Sequence, residues 1–193
     1  MFSRGSVTGP RLFRKGGNVI MNEVLKQMNS RRSVRHYKSD MVPDEMIEAV
    51  VAAGTEAASG MNRQTPVIVA VTNKEIRDRL SAVNAEIAGR DTGDPFYGAP
   101  VVLAVVARKE GTYIYDGSLT MGNLLLAAHS LGLGACWIHR AKQTFERPEW
   151  IEWLKSLGLE GEYEGIGFCI LGYPDGEEPK DLPRNPGRVI RVK

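Results

Sequence analysis

The sequence predicts a three-layer domain of the α/β or α+β class, and three observations carry that expectation. Helix-like and strand-like stretches alternate through nearly the whole chain. "GAPVVLAVVAR" is a continuous apolar run without polar alternation, as expected for a strand buried on both faces. "DGSLTMGNLLLAAHSLG" is apolar almost all round, which places a helix at the centre of the molecule.

Each element follows from local pattern. The first twenty residues, "MFSRGSVTGPRLFRKGGNVI", are rich in Gly and Arg, lack apolar periodicity and contain no continuous apolar region of the kind a signal peptide needs. They read as a flexible leader, either an upstream start or an added segment, and residues 21–193 read as a single domain with a C-terminal arm from about 175. "EVLKQM" puts Val24, Leu25 and Met28 on one helical face. "MVPDEMIEAVVAAGTEAAS" opens with Pro and acids, as a helix start does, and repeats Met46, Ile47, Val50, Val51 and Gly54 at helical spacing. "PVIVAVTN" is a β-branched run of strand length, and "NKEIRDRLSAVNAEI" returns to helix. After the buried strand and the central helix, "GACWIH" reads as a third strand. "RPEWIEWLKSLG" is an amphipathic helix with Trp150, Trp153, Leu154 and Leu157 inward, ending at Gly158. "YEGIGFCILGYP" is a fourth strand, and "RVIRV" a short terminal one.

Bulk properties narrow the function classes. The 193 residues carry 42% apolar and 25% charged side chains and a formal net charge of +2, ordinary for one globular domain and a weak argument against a dedicated nucleic-acid binder. Cys136 and Cys169 lie in apolar runs and read as buried thiols, with no disulfide framework, which fits a reducing cytoplasm. The longest apolar stretch, 119–133, is interrupted and too short to span a bilayer. "GLGACW" and "GIGFCI" lack the third glycine of a dinucleotide fingerprint and do not sit between a strand and a helix, and no Walker loop occurs. The histidines His36, His129 and His139 lack metal-ligand spacing, and Ser59 is not in a nucleophile elbow, so neither a metal site nor hydrolase chemistry is expected.

One cluster does point to a ligand. "SRRSVRHY" packs Arg31, Arg32 and Arg35 into five residues. By itself it suits a solvated basic helix end, a nucleic-acid contact or a pocket for one phosphate, which Arg recognises with forked donors. Three further motifs accompany it: "AASGMNRQTP", a turn of small and amide-bearing residues; "DGSLTMGNLLLAAHSLGLGACWI"; and "LPRNPGRVIRV" at the end. In this order and spacing the four resemble the FMN-dependent nitroreductase family from Glu23 to the C-terminus.

The resemblance implies an α+β, three-layer flavin fold with a mixed central sheet flanked by helices, in an interwoven homodimer with FMN at the subunit interface. It implies NADH or NADPH as electron donor, a small electron-poor acceptor such as a nitro compound or quinone, and neither nucleic-acid nor membrane partners. Arg31, Ser33 and Arg32 would hold the phosphate and ribityl end, with Arg35 near the flavin pyrimidine edge. Ser59 and Gly60 would reach flavin from the other subunit, Asn62 would bond the pyrimidine edge and Gln64 would lie nearby. Backbone N–H groups of Ile138, His139 and Arg140 would meet the flavin N5 and O4, while Arg184, helped by Lys180, would clamp the phosphate. The sequence departs from the family pattern at Ala58, at Thr65-Pro66, at His139 and Arg140, and at Leu182. Because the chemistry would take place on flavin, no catalytic side chain is expected. Ene-reduction, dehalogenation, flavin destruction and a flavin-binding carrier or sensor without turnover are the alternatives within reach of the same site.

Overall fold

The computed structural model describes residues 21–89, 93–176, 179, 183–185, 187–190 and 192. The elements run α1 (Glu23–Ser30), α2 (Asp44–Thr55), a 3-10 turn (Gly60–Asn62), β1 (Pro66–Val71), α3 (Lys74–Ile87) and β2 (Val101–Arg108). They continue with α4 (Tyr113–Ser130), β3 (Gly134–Ile138), α5 (Ala141–Phe145), α6 (Pro148–Ser156) and β4 (Tyr163–Gly172). The four strands form one sheet in the order β1-β2-β4-β3, antiparallel throughout. One isolated bridge outside the strands, between Ser33 and Ala135, is parallel.

Apolar runs explain the layering. Residues 101–107 of β2 are fully buried because helices cover both faces. On one face α2 and α4 bring Ile47, Val50, Met121 and Leu124 against Leu103, Val105 and Cys169. On the other, Leu80 of α3, Phe145 of α5 and Trp150 and Leu154 of α6 meet Val102, Ala104 and Phe168. Asn123, half-buried in the central helix, donates to the Ala53 carbonyl at 2.9 Å and ties α4 to α2. Both cysteines are free and buried, and burial pushes the Cys169 thiol up to about 12. No helix among the described residues is long and apolar enough to cross a membrane.

Two expectations need correction. Leu157 is not inward: it caps the C-terminus of α6, after the last helical turn has carried it past the core, and is half exposed. No strand forms among the described residues of "RVIRV". Val189, Ile190 and Val192 are exposed, because a strand requires a neighbour and no described residue pairs with them. On α1, Val24 and Met28 are both more than half exposed. The leader lies outside the described residues.

Candidate functional site

The arginine segment leaves α1 and runs beside the edge strand β3. The N–H of Val34 donates to the Ala135 carbonyl at 3.1 Å, and Tyr37 and Pro174 form a second bridge. The Tyr37 hydroxyl donates to the Val34 carbonyl at 2.8 Å, and burial raises its pKa. The alternation of an extended chain separates the side chains. Arg31 carries a buried Nη1 with no hydrogen-bond partner among the described residues. A buried guanidinium donor without an acceptor is costly unless a ligand completes it. Arg32 turns back instead, donating through Nη1 to the carbonyls of Asn29 and Arg31 at 2.7 and 2.8 Å. A cavity of about 550 Å³ lies along this segment, with Arg32, Arg35, His36, His129 and Asp175 in its wall.

The corner after β3 is built differently. His139 follows the last strand residue and Arg140 adopts a left-handed conformation at φ 76°, before α5 begins at Ala141. A non-glycine residue there costs about 1–2 kcal/mol. The Asn84 side chain of α3, fully buried, donates to the His139 carbonyl at 2.7 Å. The Arg140 carbonyl accepts from both the N–H and the hydroxyl of buried Thr144, at 3.0 and 2.9 Å. Gly165 permits this packing: a Cβ there would lie 2.3 Å from the Ala141 backbone. No described residue accepts the N–H of His139 or of Arg140. The imidazole of His139 is exposed, and the side chain of Ile138 packs in the core, so these residues can offer a ligand little but their backbone.

The turn before β1 holds a third set. Met61, Asn62 and Gln64 all take positive φ, near 50°. Ser59 Oγ accepts the Gln64 N–H at 3.0 Å, and the Asn62 and Gln64 amides are bonded to each other at 3.0 Å. Beneath them the buried carboxylate of Asp116 accepts from the Gly60 N–H at 3.0 Å and from Thr112 Oγ1 at 3.1 Å. Gly60 is required because a Cβ would come within 2.1 Å of Thr112 Oγ1.

The structure therefore brings Arg31, Ser33 and Arg35 to the β3 edge, with His139 and Arg140 at the strand's far end. Ser33 pairs with Ala135, four residues before His139, a run of roughly 13 Å at strand rise. Ser59, Gly60, Asn62 and Gln64 are not brought to that edge. They precede β1 on the opposite side of the sheet, three strand spacings or roughly 14 Å away. Arg184 is exposed, and Lys180 and Leu182 lie outside the described residues.

The Nitroreductase family model matches residues 28–182. The chain belongs to the nitroreductase family. A nitroreductase of Bacteroides fragilis, solved with FMN bound, superposes with a TM-score of 0.80 at 30% identity, covering 90% of this chain and 100% of that one. A Methanothermobacter thermautotrophicus protein, provisionally named an NADH dehydrogenase/NAD(P)H nitroreductase, is 32% identical over 82% of this chain and 81% of its own length. An iodotyrosine deiodinase of Haliscomenobacter hydrossis is 26% identical, covering 88% of each.

The residues of this chain suit the FMN that the Bacteroides fragilis structure holds. The orphaned Arg31 donor suits a phosphate monoester, and the unclaimed N–H pair suits acceptor atoms at the other end of an elongated ligand. Sequence reasoning missed the supports: Asn84, Thr144, Asp116 and Thr112. The signal was present for Asn84, a polar residue at the same helical spacing as buried Arg77, Leu80 and Ser81. Thr144 left none, because α5 is only five residues long.

Proposed function

We propose that this chain, a nitroreductase-family flavin oxidoreductase, binds FMN and passes reducing equivalents from NADH or NADPH, in a ping-pong cycle, to nitroaromatic, quinone or related electron-poor acceptors. The buried Arg31 donor without a partner, set beside Ser33 at the sheet edge, carries this reading. When bound, the flavin would supply hydride acceptance and donation. The chain's own part is to hold and tune it. Arg31 and Ser33 would take the phosphate and ribityl end, and Arg35 the pyrimidine edge, where its charge would favour the reduced form. The N–H groups of His139 and Arg140 would bond the ring, and no side chain need move a proton.

A homodimer completes the site in this reading. Within one chain the Ser59–Gln64 turn and the arginine segment occupy opposite sheet edges, so a second copy is needed to bring them together. Exposed Ile114, Tyr115 and Leu119 on α4, with Val24 and Met28 on α1, supply apolar surface for that pairing, and Val189, Ile190 and Val192 supply an arm. Cytoplasmic residence accords with the two buried free thiols.

Purified protein should be yellow, should release FMN rather than FAD on denaturation, and should consume NAD(P)H with a quinone or nitroarene. A colourless protein that does not take up added FMN refutes the reading. A flavin-loaded protein that never turns over with any acceptor would instead be a carrier or sensor. The deiodinase relative favours one second reading, reductive dehalogenation of an iodinated phenol. Iodotyrosine belongs in the acceptor panel, and iodide release above nitroarene turnover would favour it.

A further inference from the structure

The geometry points to Asn84 and Thr144 as positioning residues that aim the Arg140 N–H at the flavin, an assignment that rests on the FMN reading above. Both side chains are fully buried, and neither touches the expected ligand face. They grip consecutive peptides. Asn84 Nδ2 holds the His139 carbonyl at 2.7 Å, and Thr144 holds the Arg140 carbonyl at 2.9 Å through Oγ1 and 3.0 Å through its N–H.

The peptide plane turns that grip into aim. In a trans peptide the C=O and the following N–H point in opposite directions across a rigid plane. Fixing the His139 carbonyl on Asn84 therefore fixes the Arg140 N–H on the side away from α3. Fixing the Arg140 carbonyl holds the left-handed turn that would otherwise relax, since Arg140 is not a glycine. The result is an Arg140 donor that no described residue accepts, preset without any side chain reaching the ligand, beside the equally unclaimed His139 N–H at the end of β3. A preset donor at the flavin O4 would cost no reorganisation as charge builds on that oxygen, so it would favour the electron-rich reduced flavin over the oxidised form. The Asn84 bond crosses 55 residues of sequence, from the middle of α3 to the end of β3. Its Oδ1 is buried without a partner, so the amide sits here at a cost that packing alone does not explain.

The test compares Asn84→Leu, Asn84→Asp, Thr144→Val and Thr144→Ser with the wild-type protein loaded with FMN. The readings are melting temperature, FMN affinity, the two-electron midpoint potential and hydrogen exchange at 139–140. In the wild type, added FMN should slow exchange of the His139 and Arg140 amides. Asn84→Leu and Thr144→Val should weaken the preference for reduced over oxidised flavin at least tenfold, a fall of about 30 mV for a two-electron couple. Affinity for oxidised FMN should change less, because the arginines hold the phosphate. Asn84→Asp, which sets a carboxylate against the carbonyl, should lower the potential furthest, and Thr144→Ser, which keeps the hydroxyl, should retain the wild-type value. Variants that fold, bind FMN and melt earlier at an unchanged potential overturn the inference and leave a structural role. If the Asn84 variants do not fold, the Thr144→Val and Thr144→Ser pair decides by the same criterion. A wild-type protein that takes up no FMN overturns the functional reading itself and this inference with it, whereas FMN binding without amide protection overturns this inference alone.

Discussion

The turn before β1 and the corner after β3 both hold non-glycine residues in left-handed conformations over buried polar side chains, yet they present opposite things to the outside. In the turn the backbone is spent internally. Asn62 N–H bonds Ser59, Arg63 N–H bonds Gly60, Gln64 N–H bonds the Ser59 hydroxyl, and Gly60 N–H bonds Asp116. What remains exposed is side chain: Met61, Asn62 and Gln64. In the corner the carbonyls are spent on Asn84 and Thr144, and what remains is N–H. The chemical nature of the support follows. A carboxylate can only accept when ionised, so Asp116 consumes backbone donors, whereas an amide or hydroxyl can donate to carbonyls and leave the N–H groups unclaimed. The turn should therefore tolerate little change in its side chains, and the corner a great deal.

The largest effect should come from breaking the turn at its base. Asp116→Ala leaves the Gly60 N–H and the Thr112 hydroxyl without their charged acceptor and should destabilise the protein by about 3 kcal/mol. Chemical denaturation measures it. A loss below about 1 kcal/mol would show that the turn stands without its carboxylate.

Arg31→Ala sharpens the comparison from the ligand's side. Here a side chain, not backbone, is read as the binding group, so FMN affinity should fall by about 1.5–3 kcal/mol in flavin titration. Thermal stability of the flavin-free protein should change little or rise, since its buried Nη1 has no described partner. An unchanged affinity would remove the phosphate from this end of β3.

Much of this was legible in the sequence, for identifiable reasons. β2 and β4 announce themselves because a strand buried on both faces needs no polar alternation, and α4 because its sequence is apolar almost all round, including Ile114, Tyr115 and Leu119, which this chain leaves exposed. Motif order gave the family. What stayed hidden depends on contacts far apart in sequence. Asn84 meets His139 across α3 and β3, and Asp116 meets Gly60 across 56 residues. Local periodicity marks such residues as polar and buried but cannot name their partners. The terminal "RVIRV" was misread because its composition suits a strand, while pairing belongs to a neighbour and not to composition. The opposite-edge placement of the Ser59–Gln64 turn likewise requires the strand order β1-β2-β4-β3, which sequence adjacency does not reveal.

A smaller effect concerns backbone strain at the corner. Arg140 sits at φ 76°, which glycine adopts without a Cβ penalty. Arg140→Gly should stabilise the protein by about 0.5–1 kcal/mol, the relief of the left-handed penalty less the extra entropy glycine loses on folding. FMN binding should persist because the N–H remains. A destabilised variant would mean that the half-buried arginine side chain contributes packing worth more than the strain.

The smallest effect, and the sharpest contrast with the turn, is expected at His139. Its imidazole is exposed, and no hydrogen bond or ion pair of its side chain is found among the described residues. If the corner works through backbone donors, His139→Ala keeps the donor and removes only the ring. FMN affinity and reduction by NAD(P)H should then stay near the wild-type values, and only the order of preference among acceptors should move, since a ring beside the flavin edge shapes what can stack there. A general acid behaves otherwise: positioned proton donation contributes roughly 10²–10⁴-fold, and its loss appears with every acceptor. The reductive half-reaction, measured alone and followed by reoxidation with several acceptors across pH, separates the two. A hundredfold or greater loss of reoxidation with all acceptors, together with disappearance of a limb near a histidine pKa, would make His139 a proton donor and end the distinction between a corner that works by backbone and a turn that works by side chains.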